Sequence, residues 1–255
     1  MLHIHRLPTL AAVALLLAAV AAPAMAAEIK VLNANALTIA MKEIAAAFSK
    51  ETGHQVTFTG VSPGQVDQRI RAGEVYDIVI NAAASVAAYE KEGRLRAGSR
   101  RPFARVGIGL AVREGTRLDL STVASTRQVL LDAKAVTYSD SRTGGLSGLN
   151  AQKVLVNLGI ADTIMAKTKL APNGQELIAK GEVDIGLYNV SEIPRAKGVV
   201  LAGPVPAAVQ VYINYEAALP ASNAAPEPAL ALLKYLTQPA ARPTWTKAGL
   251  EVAGE

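Results

Sequence analysis

The sequence predicts an α/β protein of two similar lobes, each on a mixed, mainly parallel sheet, joined by two crossover strands. Three observations carry this prediction. The first third of the chain alternates strand and helix patterns. A segment at residues 64–80, GQVDQRIRAGEVYDIVI, returns in shortened form at residues 174–187 as GQELIAKGEVDIGL. Two extended apolar stretches, ARVGIGLAV at 104–112 and VQVYINYEAA at 209–218, lie where the pattern passes from one half of the chain to the other. Strand–helix–strand alternation implies parallel pairing through right-handed crossovers.

The elements follow in order. Ile29 and Val31-Leu32 suit a short buried strand. Leu37, Ala40, Met41, Ile44, Ala47 and Phe48 recur at helical spacing, and Gly53 is a natural stop. QVTFTGV alternates as a strand does. A helix spans about Gly64 to Ala72 and closes at Gly73, and YDIVI is the compact β-branched run of a buried parallel strand. In the second half, VTYSD reads as a strand and about Leu149 to Leu158 as a helix. The repeated segment then supplies a helix and the strand DIGLY, and ALALLKYL forms a C-terminal helix. The expected lobes are residues 27–107 plus 211–255, and residues 108–210. Asp77 and Asp184 occupy equivalent positions at strand entries, the end away from a ligand, and read as structural.

Residues 1–26 have the layout of a secretory signal peptide: Arg6, an apolar run, then Ala24-Met25-Ala26 as an A-x-A cleavage pattern. The clean apolar core, Ala11 to Ala22, is about 12 residues, short of the ~20 that span a bilayer. The expected mature chain begins at Ala27, has no membrane span and lies in the periplasm as a monomer. Losing Arg6 leaves 25 basic residues against 21 acidic ones, a net charge of +4. With 4% aromatics and scattered basic residues, nucleic-acid binding is a poor reading. The absence of cysteine excludes disulfides and thiolate chemistry, and with His54 the one histidine after residue 26, no metal site or cofactor is expected. Arg69 and Arg71 read as a solvated helix face.

The stretch YSDSRTGGLSG at 138–148 carries the chemistry. As a nucleophile loop it fails, because Gly145-Leu146-Ser147-Gly148 is one residue short of G-x-S-x-G and no base lies nearby to activate Ser147. As an anion cradle it fits. Gly144 and Gly145 let backbone N–H groups converge, a helix opening near Ser147 or Gly148 adds positive potential, Thr143 and Ser147 add hydroxyls, and Arg142 offers a charge-assisted contact. The first lobe offers matching loops: Asn33-Ala34-Asn35-Ala36 and Ser62-Pro63-Gly64 open helices, and Asn81 ends the YDIVI strand. In the second, Asn173 precedes the repeated helix and Tyr188-Asn189 ends DIGLY. Ligands of open α/β sheets sit beyond the carboxyl ends of the strands, where all these residues fall.

KVLNANALTIAMKEIAAAFSKETGHQV, RIRAGEVYDIVI and RVGIGLAVREG, taken in this order, resemble the periplasmic molybdate-binding-protein family. The resemblance implies a type II periplasmic binding fold that delivers a small oxyanion to an ABC importer. It also implies a ligand held by serine hydroxyls, helix N-termini and a tyrosine. Ala36 stands where that family presents a serine. The second loop, Gly60-Val61-Ser62-Pro63-Gly64, keeps one serine of a run, and the tyrosine position resembles Tyr188 or Asn189. The partial loss of hydroxyls, together with Arg142, points from molybdate toward another anion, such as a di- or tricarboxylate. The YSDSRTGGLSG loop resembles a branch that includes a periplasmic aconitate isomerase. The sequence therefore carries two expectations: a periplasmic binding protein for a small anion served by an ABC permease, or a cofactor-independent isomerase shifting a proton between cis- and trans-aconitate.

Overall fold

The computed structural model describes residues 26–143, 145–171, 173–222 and 227–252; the expected leader lies outside them apart from Ala26. From the N-terminus, β1 (Glu28–Ala34), α1 (Thr38–Thr52), β2 (Gln55–Val61), α2 (Pro63–Arg71) and β3 (Ile78–Ala82) alternate as the hydrophobic pattern predicts, and α3 (Ala83–Lys91), which the sequence reading did not name, follows. The apolar face of α1 is buried through Ala40, Met41, Ile44, Ala45 and Phe48. Its helix ends at Gly53, whose φ of 77° is the left-handed conformation that glycine adopts without strain.

The chain then runs through β4 (Arg101–Val106) and β5 (Ile108–Arg113) into the second half. There α4 (Val123–Asp132), β6 (Val136–Tyr138), α5 (Leu146–Asn157), α6 (Ala161–Met165), α7 (Gly174–Ala179), β7 (Ile185–Asn189) and β8 (Val199–Pro204) follow. It returns through β9 (Ile213–Ala218) to α8 (Glu227–Thr237), α9 (Arg242–Lys247) and β10 (Glu251–Val252). One sheet has the order β10-β4-β9-β3-β1-β2 and the other β6-β7-β5-β8. The parallel pairs are β1·β2, β1·β3 and β6·β7. The pairs made by β4, β5, β8, β9 and β10 are antiparallel, so the parallel share is smaller than the sequence pattern suggests. Four of these five pairs include β5 or β9, the strands that arrive from the other lobe and so run against their neighbours; the fifth sets β10 on the edge strand β4.

Each sheet has its own apolar packing. Trp245 of α9 and Leu232, Leu233 and Leu236 of α8 join the core over β1, β3, β4 and β9, which places the C-terminal helices on the first lobe. Trp245 rests against Phe103, with ring centroids 4.9 Å apart, and its Nε1–H donates to the Leu236 carbonyl at 3.0 Å. A separate cluster built on Ile108, Leu110, Val136, Val154, Leu155 and Leu187 fills the second lobe.

The sequence repeat has a structural counterpart. Asp77 accepts the Lys30 N–H at 2.8 Å, tying the entry of β3 to β1. Asp184 accepts the Lys134 N–H at 2.6 Å and the Ala135 N–H at 3.2 Å, tying the entry of β7 to β6. The first crossover divides at Gly107 into β4 of one sheet and β5 of the other. The second is strand only from Ile213; Ala207–Val209 is a 3-10 turn. Between these crossovers Gln210 acts as a rung. Its Oε1 accepts the Ile108 N–H at 2.7 Å, and its Nε2 donates to the Ile108 carbonyl at 2.9 Å.

Asn81 does not face the interlobe space. It is fully buried, with Nδ2 3.0 Å from Asp67 Oδ1, 2.9 Å from the Tyr89 hydroxyl and 3.2 Å from the Pro63 carbonyl, and its Oδ1 accepts the Ala82 N–H at 2.9 Å. Tyr89 in turn donates to Asp67. Asn81 therefore spends all its capacity joining β3 to α2 and α3. Replacing it, Asn81→Ala, orphans buried partners and is expected to lower unfolding stability by about 1–3 kcal/mol in urea titrations. A second site tests how α5 is seated. A Cβ on Gly148 would lie 1.9 Å from the Ser139 carbonyl oxygen, which is backbone and cannot swing aside. Gly148→Ala is expected to destabilise by about 1–3 kcal/mol or more through overpacking, read by the same titration.

Candidate functional site

Four strands point their carboxyl ends at one place. β1 leads into the turn Asn35–Leu37, β2 into Ser62 and α2, β6 into the loop before α5, and β7 into Asn189 and the turn Val190–Arg195. Between the lobes these ends enclose a cavity of about 110 Å³. Asn35, Ser62 and Pro63 line it on the first lobe; Ser139, Gly145, Leu146, Ser147, Asn189 and Glu192 line it on the second; and Ile213 and Tyr215 of β9 close it. A larger chamber of about 560 Å³ opens in the second lobe between α7 and the turn after β7 and shares Ser139 and Glu192 with the first.

The two long helices that open onto the smaller cavity differ at their first turns. In α2, Ser62 and Gln65 form a capping box: the Ser62 Oγ accepts the Gln65 N–H at 3.3 Å, and Gln65 Oε1 accepts the Ser62 N–H at 3.1 Å. That hydroxyl is already employed within the helix. α5 is preceded at its N-cap by Gly145, which has no side chain, and no side-chain cap is made. Its first N–H groups are left for a ligand, and its dipole adds positive potential at the same spot. Ser147, in the first turn of α5, is 4% exposed; its Oγ accepts the Asn189 N–H at 3.1 Å and retains its own proton to donate. Asn189 is buried, and its Oδ1 has no hydrogen-bond partner among the described residues.

Other predicted residues lie elsewhere. Arg142 does not line either space. Its side chain is 82% exposed and forks onto Asp140, with Nη2 2.6 Å from Oδ2 and Nε 3.0 Å from both oxygens. The guanidinium beside Asp140 holds that carboxyl below the usual range. An acid two residues away satisfies the arginine locally, so the charge expected in the cleft stays in solvent. Ala36 is 2% exposed within the first lobe's core. Asn33 is buried with its Nδ2 donating to the Ala34 carbonyl at 3.0 Å, and lines neither space. Gly64 lies within α2 behind Pro63. Thr143 falls in the turn Ser141–Thr143, and Gly144 lies outside the described residues. Arg69 and Arg71 are paired on the surface with Glu74 and Glu92.

Asn173 and Tyr188 belong to the larger chamber. Asn173 donates to Glu176 Oε1 at 3.1 Å. Tyr188 is 5% exposed; burial pushes its hydroxyl up to about 12, the nearby Thr137 hydroxyl opposing and the Glu192 carboxylate adding to the rise. It is therefore a neutral O–H across the physiological range. Ser139, Gln175, Glu192, Lys197 and Tyr215 were not singled out from sequence. Glu192 had a usable signal, since it follows the carboxyl end of β7 by three residues. Tyr215 had none, since it lies mid-strand. Among the described residues no group of three histidine or acidic side chains could hold a metal ion, and no helix is long and apolar enough to cross a membrane.

The model of the bacterial extracellular solute-binding protein family matches residues 29–251. The chain is 29% identical to an aconitate isomerase from a Pseudomonas species over 259 residues, spanning 96% of this chain and 97% of that protein. It is 28% identical to a molybdate-binding protein of Azotobacter vinelandii over 180 residues, 68% of this chain and 69% of the relative. The solved structure of the Azotobacter vinelandii periplasmic molybdate-binding protein superposes with a TM-score of 0.72 at 24% identity, covering 88% of this chain and 98% of that one. This likeness matches the type II periplasmic binding fold that the resemblance to the molybdate-binding family implied. Since the family match begins in the first strand and ends in the last, across both sheets, the chain belongs to the bacterial extracellular solute-binding proteins.

Proposed function

We propose that this protein is a periplasmic binding protein that captures a small anion between its lobes and presents it to an ABC importer. The lobes are residues 27–107 with 211–255, and residues 108–210; the leader 1–26 is removed on export and the mature protein acts as a monomer. The observation that carries the reading is the uncapped N-terminus of α5, opening with the buried Ser147 into a cavity walled by both lobes. Backbone N–H groups and a hydroxyl donor there favour negative charge without a metal or a cofactor. A ligand touching both lobes stabilises whichever arrangement brings them together, by its differential affinity for that state. The closed surface is what a permease would read.

Isothermal titration calorimetry on protein refolded free of ligand, against sulfate, molybdate and di- and tricarboxylates, tests this. At least one anion is expected to bind, and failure of the whole panel would sink the reading. Ser147→Ala is expected to weaken the best binder by about 10- to 100-fold, the effect of one hydrogen bond to a charged partner of about 1.5–3 kcal/mol. Arg142→Ala is expected to leave affinity within about two-fold, since the side chain faces Asp140 and solvent. Incubation with trans-aconitate is expected to leave it unconverted; appearance of the cis isomer would move the assignment to the isomerase.

A further inference from the structure

Two residues of the second lobe reach across to the first, and their chain neighbours serve the site. Leu146 and Val190 each pack against the apolar core of the first lobe. Leu146 immediately precedes Ser147, and Val190 immediately follows Asn189, whose N–H the Ser147 Oγ accepts. Val190 is half-buried, and its N–H donates to the Gly107 carbonyl at 3.0 Å, beside the crossover. Its side chain is gripped between the lobes. A Cβ on Gly109, in β5, would lie 3.0 Å from Val190 Cγ2, and a Cβ on Gly249, in the turn between α9 and β10, would lie 2.8 Å from Val190 Cγ1. One methyl thus faces its own lobe and the other faces the C-terminal turn of the first lobe. That turn is firmly held. The Gly249 N–H donates to the Thr246 carbonyl at 2.9 Å, Leu250 is buried in the first lobe's core, and Glu251 pairs with Arg105 of β4 at 2.6 Å.

Neither Val190 nor Gly249 lines either space at the site. Their contact therefore depends on how the lobes stand and not on what lies between them. Separating the lobes would return a methyl to water and forfeit its close packing. We infer that Val190 seated against Gly249 is an interlobe latch, which favours the closed arrangement through contacts the ligand never touches and so sets the affinity of the anion site from outside it. This rests on the anion-binding reading above and adds what governs the strength of binding. A ligand that binds only the closed arrangement binds with an apparent strength scaled by the fraction of protein already closed. Loss of the latch lowers that fraction while every group that touches the ligand stays in place. Val190 is in this sense a positioning residue.

Two variants test it from opposite lobes. Val190→Ala removes the methyl groups, and Gly249→Ala pushes on them from the first lobe, away from the anion contacts. The left-handed φ of 81° at Gly249 adds a strain to the second variant that is the same whether the lobes are together or apart. Each is measured as whole ligand-free protein by calorimetry against sulfate, molybdate, succinate and citrate, and by small-angle X-ray scattering with and without the tightest of these. Affinity is expected to fall about 3- to 10-fold, and the ligand-free radius of gyration to rise above that of the unaltered protein and return to it at saturation. Thermal unfolding checks that the variants fold; should Gly249→Ala fail, Val190→Thr, which keeps the shape and makes the contact polar, takes its place. Affinity within about two-fold of the unaltered protein in Val190→Ala, or weaker binding with unchanged scattering, overturns the latch and leaves the anion reading standing. If none of the four anions binds the unaltered protein, the reading beneath fails, and the ligand-free scattering decides the latch alone: an unchanged radius of gyration in Val190→Ala overturns it.

Discussion

The close seating of α5 on the Ser139 carbonyl governs the candidate site. Because residue 148 is glycine, the first turn of α5 rests directly on the loop that leaves β6. This brings Ser147 against the Asn189 amide at the end of β7. Two strand ends and one helix end are thereby held as a single rigid corner. A larger residue would lift the helix, open the Ser147–Asn189 bond and spread the donors that an anion needs in one place. The first lobe has no such requirement, since α2 is terminated by its own capping box and contributes a finished wall.

The fold was legible because its signals are local and redundant. The helical spacing through Met41, Ile44 and Phe48, the stop at Gly53 and the β-branched run before Asn81 each report on neighbours in sequence. The repeat added a check, since Asp77 and Asp184 perform the same tie between adjacent strands in each sheet. Strand direction was less legible. Nothing in ARVGIGLAV marks the change of sheet except Gly107, and periodicity cannot say from which end a strand enters.

The site was legible to the level of loops and not of side chains. The rule that ligands gather beyond the carboxyl ends of strands selected turns that line the cavity between the lobes. Within them, orientation was decided by competition that residue type alone does not reveal. Arg142 had an acid two positions away, Asn81 had three partners from α2 and α3, and Ala36 fell on the apolar side of a tight turn. In each case a short-range partner outbid the cleft. Gln175 was missed for the converse reason, as an ordinary polar residue whose meaning comes from what tertiary packing leaves opposite it.

Gln210 has a consequence for motion. At the junction between the lobes the Ile108 carbonyl accepts the Val205 N–H at 3.1 Å, and Gln210 adds side-chain partners for both the N–H and the carbonyl of Ile108 from one flexible amide. It also accepts the Val211 N–H at 3.0 Å and lies 3.3 Å from the Val205 carbonyl. A backbone ladder resists bending because rotating one strand breaks bonds of fixed spacing, whereas a side chain can follow its partners through rotamer adjustment. The joint is thus a strap with give: as the angle between the lobes changes, the Gln210 amide can follow the Ile108 peptide groups by a change of rotamer, and each sheet keeps its own ladder.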